Sequence, residues 1–166
     1  PDRLWTHEHT EDAIRSREAS LREQGIQPGQ VVMFHAVAQA TTVWTLHALT
    51  RLGAVAMPVP AKLGPERSVS LKRARALPLR EGTALRLSTS GTTGDPKVVD
   101  LTLGQLKASA QASCARLGNN EHDRWLCCLP LHHIGGLSVL LRTAFNRATA
   151  ELHPRFDPKA VNASID

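Results

Sequence analysis

Apolar positions along the chain fall into two alternating periods. Ile14 and Leu21 recur at helical spacing behind Thr10-Glu11-Asp12, which predicts a first helix with Thr10 as its N-cap and Gly25 as its stop. Val31 to Val37 is a short continuous apolar run, the pattern of a strand covered on both faces. Val43, Leu46, Leu49 and Leu52 return to helical spacing until Gly53, and Ala54 to Val59 reads as another buried strand with Pro58 near its end. From Pro60 to Glu81 the pattern dissolves into Pro, Gly, Ser and basic residues, predicting a connection with one short helix.

Order returns at Thr83 to Ser88, an alternating strand, and at Val98 to Leu101, a second short strand beyond a Gly/Ser/Thr loop. Thr102 with Gln105 three positions on is a capping box, opening a helix through Leu106, Ala110 and Ala115 to Gly118. Trp125 to Leu129 and Ala148 to Leu152 read as strands on either side of an apolar helix starting at Gly136. Asp157-Pro158 has the N-cap and N1 character of one more helix, which the last residue, Asp166, leaves little room to finish. Strands alternating with helices of this size predict an α/β fold with a largely parallel sheet and flanking helices. The expected layout is one truncated domain over 1–166, with a first αβαβ segment over 1–59, a linker over 60–82 and a loop-bearing segment over 83–166.

The composition narrows the function classes. At 166 residues, 42% hydrophobic and 21% charged, the chain is sized and composed for one globular domain. No run approaches the roughly 18 to 20 apolar residues of a membrane span, and the charged start lacks a signal-peptide core, so no membrane partner and a cytoplasmic location are expected. Cys114, Cys127 and Cys128 form no C-x-x-C pair and read as reduced thiols. The net charge of +5 suits anionic ligands. The basic run Leu71 to Arg75 has no interleaved aromatic residue and reads as a solvated face, so no nucleic-acid partner is expected.

Candidate chemistry concentrates in Ser88-Thr89-Ser90-Gly91-Thr92-Thr93-Gly94-Asp95-Pro96-Lys97, which places five hydroxyls, two glycines and a lysine between two strands. Glycines let backbone N–H groups approach an anion, hydroxyls rotate to match its oxygens, and a lysine adds a mobile charge. The loop is not the G-x-x-x-x-G-K-[ST] type, because Lys97 follows Gly94 by three positions and no hydroxyl residue follows it. A plain surface turn has similar composition but seldom lies between two strands with Pro-Lys at its end.

Thr89 to Lys97 resembles, over nine consecutive positions, the phosphate-loop signature of the adenylate-forming superfamily, which holds acyl-CoA synthetases, peptide synthetase adenylation domains and luciferases. Leu49 to Val59 resembles an early motif of the same enzymes, and Leu129-Pro130-Leu131-His132-His133-Ile134-Gly135-Gly136-Leu137 their P-L-F-H-x-x-G motif. The stretch from Asp123 to His133 is most similar to o-succinylbenzoate-CoA ligases of menaquinone biosynthesis, and another small acyl- or aryl-CoA ligase stays open beside it. The resemblance implies the N-terminal portion of an AMP-forming acid-thiol ligase: a carboxylate attacks the α-phosphorus of ATP, Mg2+ screens the triphosphate, and CoA captures the acyl-adenylate. It implies Thr89, Ser90, Gly91, Thr92, Thr93, Gly94 and Lys97 as the phosphate cradle, with Lys97 and His133 as catalytic residues, His133 beside the acyl site. Ser88, Val98 and His132 depart from the family pattern, and the interval between the early motif and the loop is short. The adenine, ribose and C-terminal lysine motifs of the family do not occur, so the chain is not expected to complete the reaction alone.

Other readings are open at this stage. Cys127, Cys128, His132 and His133 are zinc-type ligands, but their spacing matches no structural zinc pattern. Ser90 with His133 as base would need a G-x-S-x-G elbow that does not occur. A catalytically inactive nucleotide-binding fragment is the alternative to a working ligase, and an exposed sheet edge would favour a homo-oligomer.

Overall fold

A computed structural model of the chain describes residues 4–89 and 97–165. Helix α1 (His7–Glu23) leads into strand β1 (Val31–His35), helix α2 (Ala40–Arg51) and strand β2 (Val55–Val59). Helix α3 (Pro65–Ala76) then crosses to strand β3 (Thr83–Thr89), which is followed by strand β4 (Lys97–Thr102) and helix α4 (Leu103–Leu117). Strand β5 (Arg124–Cys127), helix α5 (Ile134–Asn146), strand β6 (Thr149–Leu152) and helix α6 (Pro158–Ile165) complete the described residues.

The first sheet has the order β1-β2-β3-β4, and β5 pairs with β6 in a second, two-stranded sheet. β1, β2 and β3 run parallel, as do β5 and β6, whereas β4 is antiparallel to β3. The exception follows from chain length: a parallel return needs a crossover of about a dozen residues or more, and only residues 90–96 separate β3 from β4. The fold is thus α/β with a mostly parallel sheet, as the alternation of patterns predicts.

β2 is buried along its whole length and sorts its side chains by size. Val55, Met57 and Val59 pack with Leu71 and Ala74 of α3 on one face. Ala54 and Ala56 join Ile14, Leu21, Leu49 and Leu106 on the other. A third cluster, with Cys127, Leu131, Val139 and Leu140, joins β5 and α5 to Ala36 at the end of β1. Burying a side chain such as Met57 or Leu49 contributes about 1.5–3 kcal/mol.

Several local expectations shift. α1 starts earlier than Thr10, because Thr6 is its N-cap and accepts the His9 N–H at 3.2 Å. The 60–82 segment carries a 12-residue helix, α3, with Gly64 at its N-cap and Pro65 opening it. Only Leu71 and Ala74 of α3 are buried, too few to leave a periodic signal. In α4 the buried face is Leu106, Ala110 and Cys114, with Ala115 turned outward, and the predicted capping box is present. β5 ends at Cys127, two residues before its expected limit, because Pro130 lacks an N–H and the chain turns towards α5. Between α1 and α2, Glu11 accepts both Arg51 Nη groups, at 2.9 and 2.7 Å, and these bonds, with Arg15, hold its carboxyl at about 2.

A charged pair lies inside the fold. Arg86 on β3 is 0% exposed, and its Nε and Nη2 donate to Asp100 Oδ1 and Oδ2 on β4 at 2.7 Å each. Nη1 donates to the carbonyls of Ala74 and Leu77 at 3.1 and 2.7 Å, and Nη2 to that of Pro78 at 2.8 Å. A cation therefore sits at the negative end of α3, meeting carbonyls that the helix leaves without partners. The Arg86 guanidinium holds the Asp100 carboxyl below its ordinary 3.8.

Two expectations follow from this packing. Removing one partner of a buried pair costs about 3–5 kcal/mol, so Asp100→Ala should lose that much in urea unfolding at neutral pH. Because folding depresses the Asp100 pKa, its contribution is complete above 3.8 and fades as pH falls further, so the gap between the two proteins should narrow there. A gap constant with pH would contradict the ionic account. The second concerns Gly136 in α5, where a Cβ would lie 2.6 Å from the Pro130 carbonyl oxygen and 2.8 Å from that of Leu129. Alanine gains about 1 kcal/mol of helix propensity, but the clash is with backbone and overpacking typically costs about 1–3 kcal/mol. Gly136→Ala should therefore lower the urea midpoint, and an unchanged or raised midpoint would show that the turn moves aside freely.

Candidate active site

Parallel pairing brings the carboxyl ends of β1, β2 and β3 to one edge, at His35, Val59 and Thr89. The chain leaves β1 and β2 there to enter α2 and α3, so helix amino termini lie at the same edge. Open α/β sheets bind ligands at this edge, where helix dipoles favour anions. Packing of Ala36 with Cys127 and Leu131 draws the turn after β5 to the end of β1.

Thr89 ends β3 and Lys97 opens β4, and the two are register partners. Thr89 Oγ1 donates to the Lys97 carbonyl at 3.4 Å, and both residues are exposed. No carboxylate lies within salt-bridge distance of Lys97 among the described residues. Beside them Ser88 Oγ is buried with no hydrogen-bond partner among the described residues. The other cradle residues named from sequence, Ser90, Gly91, Thr92, Thr93 and Gly94, lie outside the described residues.

His133 occupies the N-cap of α5, with extended backbone and an exposed side chain that makes no capping bond. Its carbonyl accepts the Leu137 N–H at 3.2 Å, so its place is set by the first turn of the helix. The turn itself is anchored by Leu131, 1% exposed, and by the close approach of Gly136 to the Leu129 and Pro130 carbonyls. The rings of His132 and His133 lie 4.2 Å apart. Burial, helped by His133 and then Arg67 on α3, pushes His132 below its ordinary 6.5. Thr89 and Lys97 are thus brought together, while His133 comes from a different strand end and bonds to neither.

Of the other candidate chemistry, Ser90 lies outside the described residues. No group of three His, Cys, Asp or Glu converges among the described residues, and Cys114, Cys127 and Cys128 are free thiols. Burial raises the Cys127 thiol, which suits a core residue and not a ligand. A Ser-His-Glu cluster unseen in the sequence does exist, with Ser164 Oγ donating to Glu151 Oε1 at 2.8 Å. Its histidine, His153, meets both Glu151 and Ser164 with Nε2, at 3.0 and 3.3 Å. A nucleophilic triad needs the two ring nitrogens to serve different partners, so this cluster ties α6 to β6 instead. An apolar cavity of about 70 Å³ between α2, α4 and α5, lined by Leu46, Leu85, Leu106 and Leu141 among others, lies toward the amino ends of β2 and β3, away from Lys97.

The sequence pattern of the AMP-binding enzyme family matches residues 72–165. A 2-succinylbenzoate–CoA ligase of Bacillus licheniformis is 47% identical over 85 residues, which are 51% of this chain and 18% of the relative. The ligase of the same name from Bacillus subtilis strain 168 is 46% identical over 86 residues, 52% of this chain and 18% of the relative. Among solved structures, the o-succinylbenzoate CoA synthetase MenE of Bacillus subtilis with its acyl-adenylate intermediate superposes at TM-score 0.85 and 28% identity, covering 99% of this chain and 53% of that one. The same enzyme with ATP and magnesium gives TM-score 0.84 and 26% identity, covering 99% and 55%. The chain thus spans about half the length of those solved relatives. With the family pattern running from α3 to α6 and the whole described fold superposing on such an enzyme, this chain belongs to the AMP-binding enzyme family.

Proposed function

We propose that this chain is the N-terminal portion of an ATP-dependent acid–CoA ligase acting on o-succinylbenzoate. The observation that carries the reading is the pairing of Thr89 with Lys97 at the carboxyl edge of a parallel sheet, at the two ends of a Gly/Ser/Thr loop. The similarity to 2-succinylbenzoate–CoA ligases supports the choice of acid.

The first step joins two anions, so its barrier is mainly one of positioning and charge. Lys97 supplies the cation that meets the triphosphate, and Thr89 with Ser90, Gly91, Thr92, Thr93 and Gly94 supplies neutral donors around it. Magnesium arrives with the nucleotide as part of the substrate. The substrate carboxylate attacks the α-phosphorus and pyrophosphate leaves, giving the acyl-adenylate. The CoA thiol then attacks the acyl carbon and AMP leaves. His133, at the amino end of α5, lines the carboxylate's path, where the helix dipole favours negative charge.

Calorimetric titration of Mg-ATP into this chain, with circular dichroism as the folding control, tests the reading. A charge-assisted contact contributes about 1.5–3 kcal/mol, so Lys97→Ala should bind roughly tenfold to a hundredfold more weakly than the parent. Equal affinity in folded Lys97→Ala would contradict the role given to the lysine.

A further inference from the structure

We propose that Arg86 and Asp100 are positioning residues for the nucleotide site: their ion pair sets the register of β4 on β3 and so holds Lys97 opposite Thr89. The proposal rests on the ligase reading only in the task given to Lys97.

The hydrophobic pattern specifies this register weakly. β4 is the edge strand of its sheet, and none of its residues is fully buried. Val99 is 42% exposed. Strands without a well-buried face are prone to slip, and the β3–β4 ladder already contains an irregularity between Thr83 and Leu85. A slip of two residues would keep every side chain on its own face yet move Lys97 about 7 Å along the strand.

What opposes such a slip is the buried fork. Arg86 and Asp100 are register partners, three positions before Thr89 and three after Lys97. Both oxygens of Asp100 are engaged by Nε and Nη2 at 2.7 Å, and the Asp100 side chain is only 4% exposed. The remaining N–H groups of Arg86 are committed to the carbonyls of Ala74, Leu77 and Pro78, so the guanidinium cannot follow a displaced partner. A slipped register would leave a buried cation and a buried carboxylate unpaired, which is far more costly than losing a few half-exposed apolar contacts. Against a well-packed apolar pair, a buried ion pair contributes little net stability, and its best-attested use is to select one register. Here that register places Lys97 opposite Thr89.

The test compares the parent with Asp100→Asn, which keeps shape and removes charge, and with Ile14→Val, a core change outside the hairpin. Each is titrated with Mg-ATP, and cross-strand NOEs pairing Leu87 with Val99 and Ser88 with Val98 report the register directly. Folded Asp100→Asn should bind Mg-ATP about tenfold more weakly, the low end of the loss expected when the Lys97 contact itself is removed. It should also lose these NOEs or show a second set, while Ile14→Val keeps both affinity and NOEs. A folded Asp100→Asn with parental affinity and one register overturns the proposal, as does an equal loss of affinity in Ile14→Val. If Asp100→Asn does not fold, Arg86→Lys replaces it, keeping the charge but losing the fork. If that also fails to fold, the pair serves the whole fold and the proposal falls. Should the parent itself bind no Mg-ATP, the ligase reading fails, and the NOEs still decide whether the pair sets the register.

Discussion

Arg86 stands where three elements meet, and the front half of the molecule is organised around what that guanidinium must satisfy. Its aliphatic part belongs to β3, its fork reaches Asp100 on β4, and its remaining donors close the carboxyl end of α3. A fully buried cation is tolerated only when paired and bonded throughout. Meeting that condition fixes where the crossover helix ends and how the hairpin pairs. β2, with a size-sorted apolar face on each side, needs no such device, because its register is set by burial alone.

A second constraint is topological. Three parallel strands deliver their carboxyl ends to one edge, and the helices that follow begin there. The antiparallel step from β3 to β4 breaks that rule because its connection is short, and in doing so it returns Lys97 to the edge from which Thr89 departs. Lysine and hydroxyl thus meet across a ladder while His133 is supplied separately, by the turn that Gly136 allows to pass close over α5. The proposed site is spread over two paired strand ends and one separate helix start.

The sequence disclosed this arrangement unevenly. The nine positions from Thr89 to Lys97 pointed to the family directly, because a phosphate loop is a local device whose residue types follow from its task. The capping box of Thr102 and Gln105 was readable for the same reason. Helix α3 was harder to read, since it buries only Leu71 and Ala74 and the rest of its surface is charged or exposed. Thr10 was a plausible cap, but Thr6, four residues earlier, captures the His9 N–H. The Arg86–Asp100 pair gave no signal at all: two charged residues 14 positions apart look like surface, and only the folded hairpin brings them together inside. Non-local pairing of this kind cannot be read from periodicity.

The central claim is that the mouth of the β3–β4 hairpin receives a nucleotide. Hydrogen exchange with and without Mg-ATP tests it most directly, because backbone amides that cradle phosphate should exchange more slowly when it is bound. The account predicts slowed exchange from Thr89 to Lys97 and in the first turn of α5 after His133, with the apolar cavity between α2, α4 and α5 unchanged. Slowing confined to that cavity, or none anywhere in folded protein, would contradict it.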